Sequence, residues 1–389
     1  MHDPDYVDAY FGPAEWRAEA EASSLTLEQV LAQADSLVAF LKEAEPNEGD
    51  EARLRALTAN AVAMHTRVRL LSGEKIPFDE QTKLLFGVVA PPLDAKAEAE
   101  RRAALDATYP GTGTLAQRQA AYLDATTVPN DTIRELTDIT VEECRRRSNE
   151  WIDLPEGEGF ELELVQDKPW GGFNYYLGNY QSKIEINTDR RIGIGRFVDI
   201  GCHEGYPGHH VYGVLRDKIF VQERGWVEHT LYPLFAPSAI LAEGSAEYGI
   251  AMAFPGNSKI AYERDTLYSI ADLDPAVVQV AGRLAMLPSI EPLIIDVARQ
   301  YSDGEISAEA AITRLINEGP MPEREAADVI GFVDYNGSYI VNYSLGYDLI
   351  DRYLDAVSST PAQRWEKFEE LLVTPLVPED LENAIAKAG

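Results

Sequence analysis

Apolar residues recur at three- and four-residue steps over most of the chain, the period that turns one helix face toward a core. Leu27, Val30, Leu31, Ala34, Leu37, Val38 and Leu41 set that step over residues 26–44, with Thr26 placed to cap the first turn. The same pattern predicts helices over 50–71, 79–86, 94–106, 115–124 and 130–151. Beyond the middle of the chain it predicts helices over 238–254, 259–273, 275–301, 307–317, 323–333, 338–357, 361–372 and 378–387. In several of these a proline stands in the first turn, where its missing N–H costs nothing.

Between the two helical runs the period changes. Phe160–Val165 reads FELELV, an alternation that suits a half-buried strand. Residues 174–186 place aromatic and β-branched residues on either side of Gly178-Asn179, which predicts a hairpin. No fixed-period repeat, low-complexity tract or linker interrupts the chain. The expectation is one mainly α domain over 1–389, with a helical N-terminal part (1–150) and a small antiparallel β-sheet plus the site-bearing helices in 151–389.

Composition narrows the function. Acidic residues number 65 against 34 basic ones, a net charge of −31. Such a field repels polyanions and anionic bilayers, so neither nucleic acid nor a membrane is an expected partner. The N-terminus lacks a basic segment followed by an apolar run, and no apolar stretch is long enough to span a bilayer. Two cysteines, Cys144 and Cys202, are too few for a disulfide framework, and Cys202 reads as a small buried apolar residue. A cytoplasmic protein is expected, of undetermined oligomeric state.

The chemistry concentrates at His203-Glu-Gly-Tyr-Pro-Gly-His209-His210, which holds three of the six histidines. A His-Glu pair followed by a further histidine is the outline of a zinc hydrolase, with Glu204 as general base. The spacing departs from the four-residue step of an HExxH helix. Six residues of regular helix advance about 9 Å, whereas nitrogens on one tetrahedral zinc lie about 3.3 Å apart. Pro207 and Gly208 offer a remedy, either as a turn or as a wide bulge in the helix. His209 is the preferred second ligand, with His210 as a supporting or substrate-contacting residue. Glu243 and Glu247, four apart in a small and apolar run, lie on one helical face. Glu243 is the candidate third ligand and Glu247 a partner behind it, since a buried carboxylate needs a counter-charge.

These motifs resemble those of the bacterial family called domain of unknown function 885, with its HE-x-x-PGHH-like stretch and later EGWA-x-Y segment. Residues 203–210 match the first; Glu243–Tyr248 (EGSAEY) match the second, with Ser245 in place of tryptophan. Weaker likeness extends to the opening DPDYVDAYFGP, the hairpin and the segment Asn342–Gly346. That family is in turn similar to helical zinc peptidases of the thimet oligopeptidase and thermostable carboxypeptidase type. The resemblance implies a helical zinc-peptidase-like fold with Zn2+ held by His203, His209 and Glu243, Glu204 as base, and a peptide or other small amide as substrate. Tyr339 and Tyr343, on one face of a late helix, are candidate donors to a developing oxyanion, and His229 is a further one. Arg190, Arg191 and Arg196 are candidates for binding a peptide carboxylate. A hydrolase of a non-peptide amide or ester, or a helical metal-binding protein without activity, would share this first set of ligands.

Overall fold

The computed structural model describes residues 2–3, 5–168, 170–189 and 191–389. Helices dominate, as the period-3.6 pattern predicts. Thr26 caps the helix Leu27–Glu43 through a reciprocal pair: its Oγ1 accepts from the Gln29 N–H while Gln29 Oε1 accepts from its own N–H. The helices Glu51–Leu71, Phe78–Phe86, Ala95–Thr108 and Leu115–Thr126 follow. One expectation fails over 275–301. Instead of a single helix, Val278–Leu284 and Glu291–Ser302 are separate. Pro288 disfavours helical backbone at the residue before it, and Ser289 Oγ accepts from the Glu291 N–H to start the second helix afresh.

The first strand, β1 (Val7–Tyr10), was too short to show a period. β2 (Gly159–Val165), β3 (Gly172–Gly178) and β4 (Gln181–Asn187) form a sheet in the order β2-β4-β3. β3 and β4 make the expected antiparallel hairpin. Asn179 and Tyr180 at its tip both have positive φ, 51° and 65°, the backbone of a two-residue turn matched to strand twist. β2 joins the far side of β4 in parallel, so β4 is central and largely buried while β3 is an edge. β5 (Leu231–Pro233) pairs antiparallel with β1, which brings the N-terminus over the middle of the chain.

One continuous core joins the helical N-terminal part to the C-terminal helices. Its densest contact lies between the helices Pro237–Ala253 and Val341–Val357. They cross at two glycines: a Cβ on Gly244 would sit 2.4 Å from the carbonyl carbon of Gly346, so neither position has room for a side chain. Cys144, on the helix Ile133–Ser148, is disulfide-bonded to Cys202. This corrects the reading of Cys202 as an unpaired apolar filler. Both are fully buried, and a chain separation of 58 residues hid their proximity.

Candidate metal centre

The sequence 201–209 solves its spacing problem with three pieces of backbone. Gly201–Gly205 is a π-helical turn continuing the short helix Arg196–Ile200. Tyr206 is extended, its bond to Pro207 is cis, and His209 opens a new helix, His209–Arg216. The chain thus doubles back between the two histidines, and the Gly208 N–H donates to the Cys202 carbonyl at 3.0 Å. Only glycine fits there, because a Cβ would fall 1.8 Å from the His203 carbonyl oxygen. The widened turn and the Pro-Gly break, posed as alternatives from sequence, occur together.

The outcome is a small triangle of donor atoms. His203 Nε2 and His209 Nε2 are 3.1 Å apart, and Glu243 Oε2 lies 3.4 Å from the first and 3.5 Å from the second. Tetrahedral zinc with bonds of about 2.0–2.2 Å needs donors separated by about 3.3 Å. Among the described residues this is the one group of three metal-binding side chains so closely gathered. Glu243 Oε2 is buried without a hydrogen-bond partner, although a buried carboxylate oxygen ordinarily has one. Two imidazole nitrogens facing one another beside an orphaned carboxylate oxygen make a donor set that fits a divalent cation.

The surrounding groups fix this triangle. The other Glu243 oxygen accepts from the Tyr339 hydroxyl at 2.7 Å. His203 Nδ1 faces Glu247 Oε1 at 3.3 Å, the arrangement by which a carboxylate sets a ligating histidine's tautomer. Burial alone would lower the His203 pKa, but Glu243, Glu247 and Glu204 together raise it well above the ordinary imidazole value. Burial would likewise raise Glu243, yet the two histidines hold it well below the carboxylate range. The field that favours a proton on these rings also favours a metal ion between them.

Glu204 is buried one residue from His203, on the same π turn. Burial is the main reason its pKa is raised; Glu243 adds to the rise, while both histidines and Arg196 oppose it. Gly172 of β3 abuts it, where a Cβ would come within 3.0 Å of Glu204 Oε1, and Asn174 Nδ2 donates to its backbone carbonyl at 2.7 Å. Tyr343 stacks near His203 with ring centroids 6.5 Å apart. Its pKa is driven far up, first by burial and then by Glu243, Glu204, Glu247 and Glu291, so the hydroxyl stays a donor.

Other expected residues lie elsewhere. His210 is turned away from the triangle into a buried network: Nδ1 meets Ser182 Oγ at 2.8 Å and Nε2 meets Glu158 Oε2 at 2.9 Å. Burial would raise the Glu158 pKa, but hydrogen bonds from His210 and Tyr206 and the charge of Arg145 bring it down to about 2. His210 therefore braces the helix that presents His209. Arg191 is exposed and paired with Asp124, and Arg190 lies outside the described residues. Arg196 is mostly exposed, 3.8 Å from Asp199. His229 is stacked on Phe220, and burial with nearby arginines lowers its pKa to about 2.

Two further carboxylates couple electrostatically to these groups. Asp8 on β1 has its pKa pushed up to about 7, first by burial, then by Glu243 and Glu204 against the opposing pull of His209. Glu291 is likewise pushed up to about 7 by burial and by Glu247. Neither belongs to a motif; for Asp8 the one signal was the resemblance of the opening segment.

No family model matches this chain, and no curated protein matches it. Solved structures do. A protein described as a "putative lipoprotein" from Colwellia psychrerythraea aligns over 95% of this chain and 72% of its own, with a TM-score of 0.59 and 15% identity. A similarly described protein of unknown function from Shewanella oneidensis aligns over 91% and 74%, with a TM-score of 0.47 and 12% identity. At such identities the first shares a fold with this chain and nothing finer. Among the described residues no helix is long and apolar enough to cross a membrane.

Proposed function

We propose that this protein is a zinc-dependent hydrolase that cleaves peptides, a relative of the domain of unknown function 885 family. The observation that carries the reading is the donor triangle of His203, His209 and Glu243 with a fourth buried group, Glu204, beside it but outside the ligand set. A bound zinc ion would supply Lewis-acid polarisation of a carbonyl and a water of lowered pKa. The chain supplies the rest. Glu204 accepts a proton from the attacking water and returns it to the leaving amine; its raised pKa suits both transfers. Tyr343 offers a hydroxyl donor toward the oxygen on which charge develops. Tyr339, committed to Glu243, holds that ligand in place. Peptide is favoured by β3, an edge strand whose Gly172 lies against Glu204, so that an extended substrate can align beside it.

Compartment belongs to the same proposal. The cytoplasmic expectation treated the cysteines as unpaired; a Cys144–Cys202 disulfide instead favours an oxidising compartment.

The test joins metal content with turnover. Purified protein should bind about one zinc ion per chain and hydrolyse short peptides, and His203→Ala should lose the metal. Glu204→Gln should keep the zinc and lose roughly 100- to 10,000-fold in kcat/KM. A fully loaded wild type inert toward all peptides would overturn the reading.

A further inference from the structure

Three large aromatic side chains beside the metal centre take no part in the core. Trp170, Phe173 and Tyr175 are half-buried, and none of them packs against the continuous apolar core. They pack on one another instead. The ring centroids of Phe173 and Tyr175 lie 4.3 Å apart, and those of Trp170 and Phe173 lie 5.6 Å apart. Apolar surface gathered in one place marks a binding site in a way that scattered apolar residues do not.

The sheet sets this aromatic shelf next to Glu204. Phe173 stands between Gly172, where a Cβ would come within 3.0 Å of Glu204 Oε1, and Asn174, whose Nδ2 donates to the Glu204 carbonyl at 2.7 Å. Side chains alternate along a strand, so Gly172 and Asn174 face Glu204 while Phe173 and Tyr175 line the opposite face of the sheet. Backbone groups alternate as well. The Asn187 N–H donates to the Gly171 carbonyl at 2.9 Å, and in the same register Phe173 lies opposite Glu185. Phe173 and Tyr175 therefore turn their backbone groups to β4, and Gly172 and Asn174 turn theirs to the open edge. No backbone group of another described segment takes these up. The charges nearest the shelf pair off: Lys183 Nζ lies 2.6 Å from Glu163 and 2.7 Å from Glu185, and Lys168 Nζ lies 3.8 Å from Glu185.

Resting on the hydrolase reading above, we propose that Trp170, Phe173 and Tyr175 form a specificity subsite for an aromatic or large aliphatic side chain of an extended peptide substrate. A peptide added antiparallel to the edge of β3 exchanges hydrogen bonds with Gly172 and Asn174. Its residue opposite Phe173 then belongs to a non-hydrogen-bonded pair, the kind in which side chains approach most closely. That side chain lies on the shelf face, while those of its two neighbours lie on the Glu204 face. The residue selected is therefore within two positions of the bond cleaved. An aromatic or branched apolar side chain gains most there, by cross-strand packing and by covering the rings. A charged one gains nothing comparable, since the lysines and glutamates at hand already have partners.

The test uses zinc-loaded full-length protein and a panel of alanine- and serine-based peptides carrying one Phe, Leu, Lys or Glu at successive positions. Mass spectrometry locates the cut, and kcat/KM is compared with that of the parent peptide. Phe and Leu should raise kcat/KM by about 10- to 100-fold, the worth of covering one large apolar side chain. The cut should follow the Phe at a fixed distance of no more than two residues. Phe173→Ala combined with Tyr175→Ala should bring the Phe-to-parent ratio to near unity with zinc content retained, because neither ring supports the core. Should that double variant fail to fold, Tyr175→Ala decides by itself: a fall in the ratio is expected, and an unchanged ratio overturns the subsite. Trp151→Ala, at an exposed tryptophan stacked on Trp365, should keep the full preference. Equal rates across the panel, a preference for Lys or Glu, a cut that ignores the Phe, or a preference that survives the double variant would each overturn the assignment. Calorimetry of the same peptides with Glu204→Gln keeps the two readings apart. Selective binding without any hydrolysis by the wild type would sink the hydrolase reading alone, and hydrolysis without selection would sink the subsite alone.

Discussion

Tyr339 and Tyr343 sit one helical turn apart, yet their surroundings divide their work. Tyr339 is buried, and its hydroxyl is spent on Glu243; Tyr343 stands beside His203 with a hydroxyl that no described residue occupies. On the proposed function, replacing each with phenylalanine should separate a ligand support from a reaction donor. Tyr343→Phe should lower kcat by roughly 100-fold or more, the effect of removing one oxyanion donor, with KM and zinc affinity little changed. Tyr339→Phe should instead weaken zinc binding by about 10- to 100-fold, as loss of a supporting partner does. Zinc competition with a chelator and steady-state kinetics on the same samples read both effects. A Tyr343→Phe enzyme with full kcat would remove that residue from the reaction.

At the scale of elements, the segment 201–209 shows how backbone shape substitutes for sequence spacing. Two histidines six apart reach one point because a π-helical turn, an extended residue and a new helix reverse the chain. Gly208 is the pivot of that reversal. Gly208→Ala should cost more than about 1–3 kcal/mol, since its Cβ meets a backbone carbonyl that cannot swing aside. Zinc content should fall along with the thermal midpoint; a variant of wild-type stability and metal affinity would show the chain path to be different. The crossing of Gly244 and Gly346 plays the matching part between helices. It lets Glu243 and Tyr339 approach closely enough to hydrogen-bond, and residues of ordinary size at the crossing would hold their helices apart.

At the scale of the whole molecule, the Cys144–Cys202 bond ties the helix Ile133–Ser148 to the turn that carries His203 and Glu204. Its removal by a Cys144→Ala, Cys202→Ala double variant should lower stability by about 2–4 kcal/mol, because a long loop in the unfolded chain is then unconstrained. Denaturant unfolding compared with the wild type gives the difference. Denatured wild type kept free of reductant should show no titratable thiol, and two free thiols would refute the bond.

How much of this was readable beforehand depends on the reach of each signal. Helices such as Leu27–Glu43 and Pro361–Leu372 were legible because period, cap and proline position are local and agree with one another. The hairpin was legible from Gly178-Asn179 for the same reason. The break near Pro288 leaves no mark in the period, because apolar residues recur straight through it. His203, Glu204, His209 and Glu243 stood out because few other reasons bring such residues together in a small, apolar neighbourhood. Asp8, Glu291 and the cysteine pair carried no such mark, being ordinary residues whose meaning comes from distant neighbours.

The sequence by itself therefore determined the helical class, the presence of a small sheet and the shortlist of candidate metal-ligating side chains, since each follows from local periodicity and side-chain chemistry. Tertiary structure alone decided which histidine faces Glu243 and which braces the fold, that Cys144 meets Cys202, and that the N-terminal strand pairs with β5. Those outcomes depend on distances between segments far apart in the chain, which packing sets and local pattern does not encode.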